Sequence, residues 1–275
     1  MAVDYKGMSE YFLKSERTLR RWEIEKPEKF ELMLAEYEKS TTCQDGQTDT
    51  LPATVMAAVS LKGGVGKSTI ASALANYLDD SVVILNLDLA QSASQVNSCT
   101  TIDYVDYIEE HSVDEMIESL AKEYKFVIID TPGDPTQEVF DALRHATKLI
   151  IPMTVGKRTR QATESTLETF FGEATPLNGL YEVFFFLNAY TDKKKRDEAA
   201  VLFKEAYAAF KPSENIKIKP KLGALDASNA IATSEETGKS IFQLVQENKL
   251  AYGMAAKKLA ALCSQIEEHF GLAEE

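Results

Sequence analysis

Apolar residues along this chain fall into two alternating forms. Short, largely apolar runs occupy residues 54–60, 81–87, 126–129, 148–153 and 182–187, and a more polar one occupies 215–219. Runs of this length without regular polar alternation suit strands buried on both faces of a parallel sheet. Between them lie stretches with helical spacing, at 70–78, 113–124, 157–171, 192–210 and 247–270. In the second of these, Val113, Met116, Ile117 and Leu120 share one face of a helix. Strand and helix alternating in this way predict an α/β domain over 54–275, a mostly parallel sheet flanked by helices. Residues 101–110 suit either a short strand or a loop.

Residues 5–40 follow another pattern. A short apolar stretch around 8–13 breaks at Lys14-Ser15, a second helix follows to Trp22, and Pro27 can start a third that runs to Tyr37. Ser15 suits an N-cap, and Leu19 and Trp22 share an inward face. Arg17, Arg20 and Arg21 are left pointing outward. A small all-α segment over 1–40 is expected, joined by a linker at 41–53 rich in Thr, Gln and Asp.

Composition narrows the classes. With 275 residues and 44% hydrophobic content, the chain suits one large globular domain plus a small appendage. No apolar run approaches the roughly 18 residues that span a bilayer. The start, Met1-Ala2-Val3-Asp4-Tyr5-Lys6, lacks a basic-then-apolar signal segment, so a cytoplasmic location is expected. Cys43, Cys99 and Cys263 are scattered and odd in number, which suits free thiols. Net charge is −13, which excludes a generally basic nucleic-acid coat, but residues 186–260 carry a net +4. Within that segment Lys193, Lys194, Lys195 and Arg196, with Lys257 and Lys258, could meet a phosphate backbone or form a solvated helix surface.

The chemistry is concentrated after the first apolar run, in Leu61-Lys62-Gly63-Gly64-Val65-Gly66-Lys67-Ser68-Thr69. Its glycines let backbone amides converge, the following helix points its positive end at the same place, and Lys67 adds a mobile charge. A polyphosphate is the expected guest. The run 81–87 then delivers Asp88, and the run 126–129 delivers Asp130 followed by a Thr131-Pro132-Gly133 turn. A carboxylate at such a strand tip can orient the water shell of a magnesium ion. Asp88 alone could also merely cap a strand.

Leu61 occupies the position where the ordinary phosphate-loop pattern has a glycine, and Lys62 stands beside it. The string KGGVGKST resembles the deviant Walker A loop of the ParA/MinD ATPase superfamily, most of all ParA-type plasmid partition ATPases. The resemblance covers about residues 54–265 and implies ATP and Mg²⁺ as cofactors. It implies that Gly63, Gly64, Val65 and Gly66 cradle the phosphates, that Lys67 holds β- and γ-oxygens, and that Ser68 and Thr69 complete the nucleotide site. Mg²⁺ would be held by Ser68, Asp88 and Asp130, with Asp88 also positioning water in switch I and the 131–133 turn acting as switch II. Lys62 would reach across an ATP-bound homodimer to the partner's nucleotide. Asn188 matches the family's adenine-contacting asparagine, Pro220 the proline of its second base loop, and residues 236–241 its E-x-G-K-x-I ending. Switch I departs from the family's D-x-D-P-Q, having Asn86 for the first aspartate and Ala90 for the proline.

Residues 15–22 also resemble the recognition helix of small bacterial helix-turn-helix regulators, which would place Arg17, Arg20 and Arg21 in a DNA groove. The same residues suit a hairpin that docks on protein. Together the resemblances imply a slow ATPase acting in plasmid or chromosome partition. A centromere-binding or other adaptor protein would stimulate it, and DNA would be a partner. The alternatives are a positioning factor for a protein cargo such as a secretion or conjugation apparatus, and an ATP-gated transcriptional regulator. The acidic C-terminal residues Glu267, Glu268, Glu274 and Glu275 oppose a membrane anchor.

Overall fold

The computed structural model describes residue 30 and residues 53–272, apart from 79–80, 89–101, 109, 156–158, 173–176, 178–179, 213, 215 and 238. Phe30 is helical and buried. The expected helix-turn-helix over 1–40 and the linker at 41–53 otherwise lie almost wholly outside the described residues.

Among the described residues seven strands form one sheet: β1 (Thr54–Ala58), β2 (Val82–Asn86), β3 (Asp103–Asp106), β4 (Phe126–Asp130), β5 (Lys148–Thr154), β6 (Leu180–Tyr190) and β7 (Lys217–Asp226). Every pairing among them is parallel, in the order β3-β2-β4-β1-β5-β6-β7. Parallel strands need crossover helices, and these cover both faces. The helices are α1 (Lys67–Leu78), α2 (Val113–Glu123), α3 (Gln137–His145), α4 (Thr159–Phe171), α5 (Lys193–Ala209), α6 (Asn229–Thr237), α7 (Ile241–Glu247) and α8 (Lys249–Phe270).

Burial follows strand alternation. Val83, Leu85, Val127, Ile129, Val183 and Phe185 pack on one side with α2, α3, α4 and α5. Met56, Ile84, Ile128, Ile150, Phe184 and Phe186 pack on the other with α1, α7 and α8. Phe184, Phe185 and Phe186 are each almost fully buried, and each such ring contributes about 1.5–3 kcal/mol by leaving water. Helix ends are satisfied locally. Ser112 and Glu115 form a reciprocal capping box on α2, and Gly271 ends α8 at φ 61.

Three helices fall outside the stretches expected to be helical. The helix α3 follows a Pro-Gly-Asp-Pro turn and buries only Val139, Ala142 and Leu143; α6 lacks an apolar stripe, and α7 spans only seven residues. The strand β7 continues well past the expected 219, to Asp226. The ambiguous 101–110 stretch contains β3, a four-residue edge strand.

Candidate nucleotide site

Because β1 is central and the chain winds outward on both sides of it, a crevice opens at the carboxyl ends of β1, β4 and β5. The glycine-rich loop lies there, between β1 and α1. Val59 leaves the sheet by donating to the Ile150 carbonyl at 3.0 Å, and Ile70 donates back to Gly66 as an early helical bond, also at 3.0 Å. Gly66 holds φ 100, and a Cβ on it would stand 2.4 Å from Asn188 Nδ2. Only glycine satisfies both conditions.

Lys67, the first residue of α1, is 4% exposed. Its Nζ lies 3.5 Å from the Lys62 carbonyl, a long contact for a buried ammonium. Burial lowers its pKa, and the charges of Asp130, Asp88 and Asp134 oppose that shift. The lysine and the carboxylates thus share one enclosed field. Lys62 is exposed.

Asp130 ends β4 and is 1% exposed. Burial raises its carboxyl from 3.8 to about 6, opposed by a hydrogen bond from Ser68 and by the Lys67 charge. Among the described residues its Oδ1 has no hydrogen-bond partner. A buried carboxylate oxygen beside a serine hydroxyl at a helix start is a donor set that fits a hydrated Mg²⁺, which takes few protein ligands. No group of three or more His, Cys, Asp or Glu side chains that could hold a metal ion is found among the described residues, and phosphate oxygens and water would complete such a shell. Asp88 is 5% exposed, two residues beyond β2, and its N–H donates to Asn86 Oδ1 at 3.0 Å. The turn after Asp130 is tied to β1 by Thr131 Oγ1, which donates to the Ala58 carbonyl at 2.8 Å. A Cβ on Gly133 would lie 3.0 Å from the Gly63 nitrogen, so this turn packs directly on the loop.

On the other side of the loop Asn188 Nδ2 donates to the Val65 carbonyl at 2.6 Å, and its Oδ1 accepts from Ala189 N–H at 2.9 Å. Ala189 sits at φ 54, a left-handed conformation uncommon for a residue with a Cβ. Asn188, Asp226, Ala227, Ser228 and Asn229 wall a cavity of about 520 Å³ that continues to Gly66 and Lys67. That is a volume suited to a nucleotide-sized ligand.

Pro220 is a correction. It lies inside β7, exposed and in register with Val183, away from the cavity wall. The sheet edge tolerates a residue without an N–H, so this proline does not end the strand. The wall is built instead by residues 226–229, which a strand ending at 219 had left out of account. Their signal was positional: they follow the real carboxyl end of β7.

The CobQ/CobB/MinD/ParA nucleotide binding domain matches residues 56–270. This chain belongs to that family. No curated protein matches the sequence. Among solved structures, pNOB8 ParA bound to nonspecific DNA is similar, at 15% identity and TM-score 0.58 over 81% of this chain and 100% of that one. A putative plasmid partition protein from Borrelia burgdorferi bound to AMPPNP is 17% identical, TM-score 0.56, over 79% and 98%. The septum site-determining protein MinD from Pyrococcus horikoshii, complexed with Mg-ADP, is 16% identical, TM-score 0.56, over 81% and 100%. At these identities the likeness is one of fold.

Within this ParA/MinD-type domain the structure brings Gly63, Gly64, Val65, Gly66, Lys67, Ser68 and Thr69 to the crevice together with Asp88, Asp130 and Asn188. Asp134 was not foreseen, although it lies only four residues past Asp130. Lys193, Lys194 and Lys195 are exposed in the first turn of α5, which Asp192 caps. Arg196 pairs with Asp197 and lies over the Tyr190 ring, 5.4 Å from its centroid. Tyr190 is in register with Asp226, to which Lys258 is paired, so both basic groups border the carboxyl ends of β6 and β7. Arg17, Arg20 and Arg21 lie outside the described residues. No helix among the described residues is long and apolar enough to cross a membrane.

Proposed function

We propose that this chain is an ATP-dependent dimeric switch of the ParA type that hydrolyses ATP slowly and acts in the partition of plasmid or chromosomal DNA. The observation that carries the reading is the contrast between two lysines of one loop. Lys67 is buried against Asp130 and Asp88, committed to its own site, whereas Lys62 is exposed and available to a second subunit.

In this scheme the loop amides and Lys67 hold the phosphates, and Asn188 with residues 226–229 encloses the base. Bound Mg²⁺ supplies charge neutralisation on the phosphates, and Ser68 and Asp130 are the residues that would hold it. Asp88 orients water for attack. Lys62 of each subunit stabilises the partner's phosphates, so pairing and nucleotide state are linked. The DNA-bound ParA and the Borrelia partition protein among the similar folds support DNA as the partner. On this chain the exposed lysines of α5 and the arginines at 17, 20 and 21 are the groups that would meet it. An adaptor that stimulates hydrolysis is part of the same proposal.

The test is DNA binding by the full chain with ADP and with a slowly hydrolysed ATP analogue. Binding is expected only with the ATP analogue, and it should fall steeply with salt. Replacing Lys193, Lys194 and Lys195 by alanine should weaken it on every sequence, whereas Arg17→Ala with Arg20→Ala should remove preference for one site. If no nucleotide state binds DNA, the partition reading fails and placement of a protein cargo takes its place.

A further inference from the structure

Three strand-end residues stand side by side on the face that carries the glycine loop. Asn86 of β2 is in register with Asp106 of β3 on one side and with Asp130 of β4 on the other. Neighbouring strands are about 4.8 Å apart, so a carboxylate at the central position would complete a row of three like charges. Asn86 is neutral, and it is 3% exposed.

Its two amide atoms are both engaged. Asn86 Nδ2 donates to Asp106 Oδ1 at 2.9 Å, and Asn86 Oδ1 accepts from the Asp88 N–H at 3.0 Å. The backbone around it is equally constrained: the Asn86 carbonyl accepts from Tyr107 N–H at 2.9 Å, and Leu87 N–H donates to the Asp130 carbonyl at 2.9 Å. The direction of the Asp88 peptide is thereby tied to the Asn86 side chain. An amide is the group that can donate to Asp106 and accept from Asp88 at once. An ionised aspartate could accept from Asp88 but would face Asp106 with no proton to give.

We propose that Asn86 is a positioning residue for Asp88, and that Asn86 and Asp106 form a matched donor–acceptor pair on which the placement of the Asp88 carboxylate depends. This rests on the reading of Asp88 as the residue that orients water. The edge strand β3, only four residues long, thereby gains a role in the site: it presents the Asp106 carboxylate that keeps Asn86 from rotating. Asp106 is exposed, so its influence on Asn86 comes from a directed hydrogen bond more than from a long-range field.

The experiment is a cycle of variants in the full chain: Asn86→Asp, Asp106→Asn and the two together. Each is measured for kcat of ATP hydrolysis, for ADP affinity, and for exchange of the Asp88 amide hydrogen by NMR. Asn86→Asp should lower kcat about tenfold, with ADP affinity held within about twofold, because the hydrogen bond to Asp106 that fixes the side chain at 86, and through it Asp88, is lost. Exchange at Asp88 should rise about tenfold in the same variant. Asp106→Asn, whose side-chain oxygen still accepts from Asn86, should change both quantities less. The double variant exchanges donor and acceptor between the two positions, so it should recover most of the lost turnover and the protection of Asp88.

A double variant no better than Asn86→Asp overturns the proposal. So does a fall in ADP affinity parallel to that in kcat, which is the signature of a merely structural position. If the wild-type chain shows no ATP turnover at all, it is the ATPase reading that fails. The amide-exchange series then still decides whether Asn86 and Asp106 place Asp88.

Discussion

Asn188 donates its side-chain amide to the Val65 carbonyl at 2.6 Å, joining the end of β6 to the glycine loop across 123 residues of sequence. The same amide would lie 2.4 Å from a Cβ on Gly66, so the loop can approach β6 this closely only because residue 66 has no side chain. The cavity wall and the glycine loop are therefore one mechanical unit. Gly66→Ala is expected to lower ADP affinity by a hundredfold or so, because strain at φ 100 adds to the clash. Titration with a fluorescent ADP analogue checks this, and unchanged affinity would show that the loop re-forms elsewhere.

Lys67 and Asp88 both face the crevice but differ in what they touch. Lys67→Gln removes the buried ammonium among Asp130, Asp88 and Asp134, and tight binding of ADP and ATP should be lost together. Asp88→Ala should leave ADP affinity within about threefold while lowering kcat by about a hundredfold or more, the pattern of a group that acts on the reacting water. Calorimetry and phosphate release separate the two. Equal loss of affinity in both variants would make Asp88 a structural residue.

Asp130 gives a pH signature. Burial raises its carboxyl from 3.8 to about 6, so between those values the native protein holds a proton that the unfolded chain has released. The unfolded state binds fewer protons across that window, and the contribution of this group to stability falls as pH rises through it. Above pH 6 the buried carboxylate costs about 3 kcal/mol relative to an unperturbed one. Asp130→Asn should therefore raise the Tm of the nucleotide-free protein at pH 8 by roughly 5–10 °C and change it little at pH 4. Adding magnesium to the nucleotide-bound protein should stabilise the wild type further at pH 8, and the variant less. A variant less stable than wild type at pH 8 would show that the carboxylate is compensated by partners in the resting state.

Lys62 is exposed and its side chain contributes nothing to the core. Lys62→Ala should leave the Tm and the ADP affinity of the monomer unchanged while weakening ATP-dependent pairing. Light scattering with and without a slowly hydrolysed ATP analogue measures the molar mass directly. If the wild type shows no increase in mass with the analogue, the dimeric switch is wrong.

Much of this protein is written locally. The continuous apolar runs 81–87 and 126–129 identified β2 and β4 because a parallel strand covered on both faces has no polar alternation to hide it. Loop, lysine and helix start were equally legible, because backbone convergence on a phosphate requires glycines at fixed offsets and a helix immediately after. Tertiary structure decided the rest. Pro220 suits a strand end, and only the edge position of β7 explains why the strand continues to Asp226 and brings residues 226–229 to the cavity wall. The helix α6 has no apolar stripe to announce it, and α7 buries Ile241 and Leu244 at helical spacing but spans only seven residues, too few for periodicity alone to mark a helix. Asn86 read as a departure from a motif. Its meaning depends on Asp106 and Asp130 standing in register on the adjacent strands, and register between strands is a property of the folded sheet that spacing along one chain does not contain.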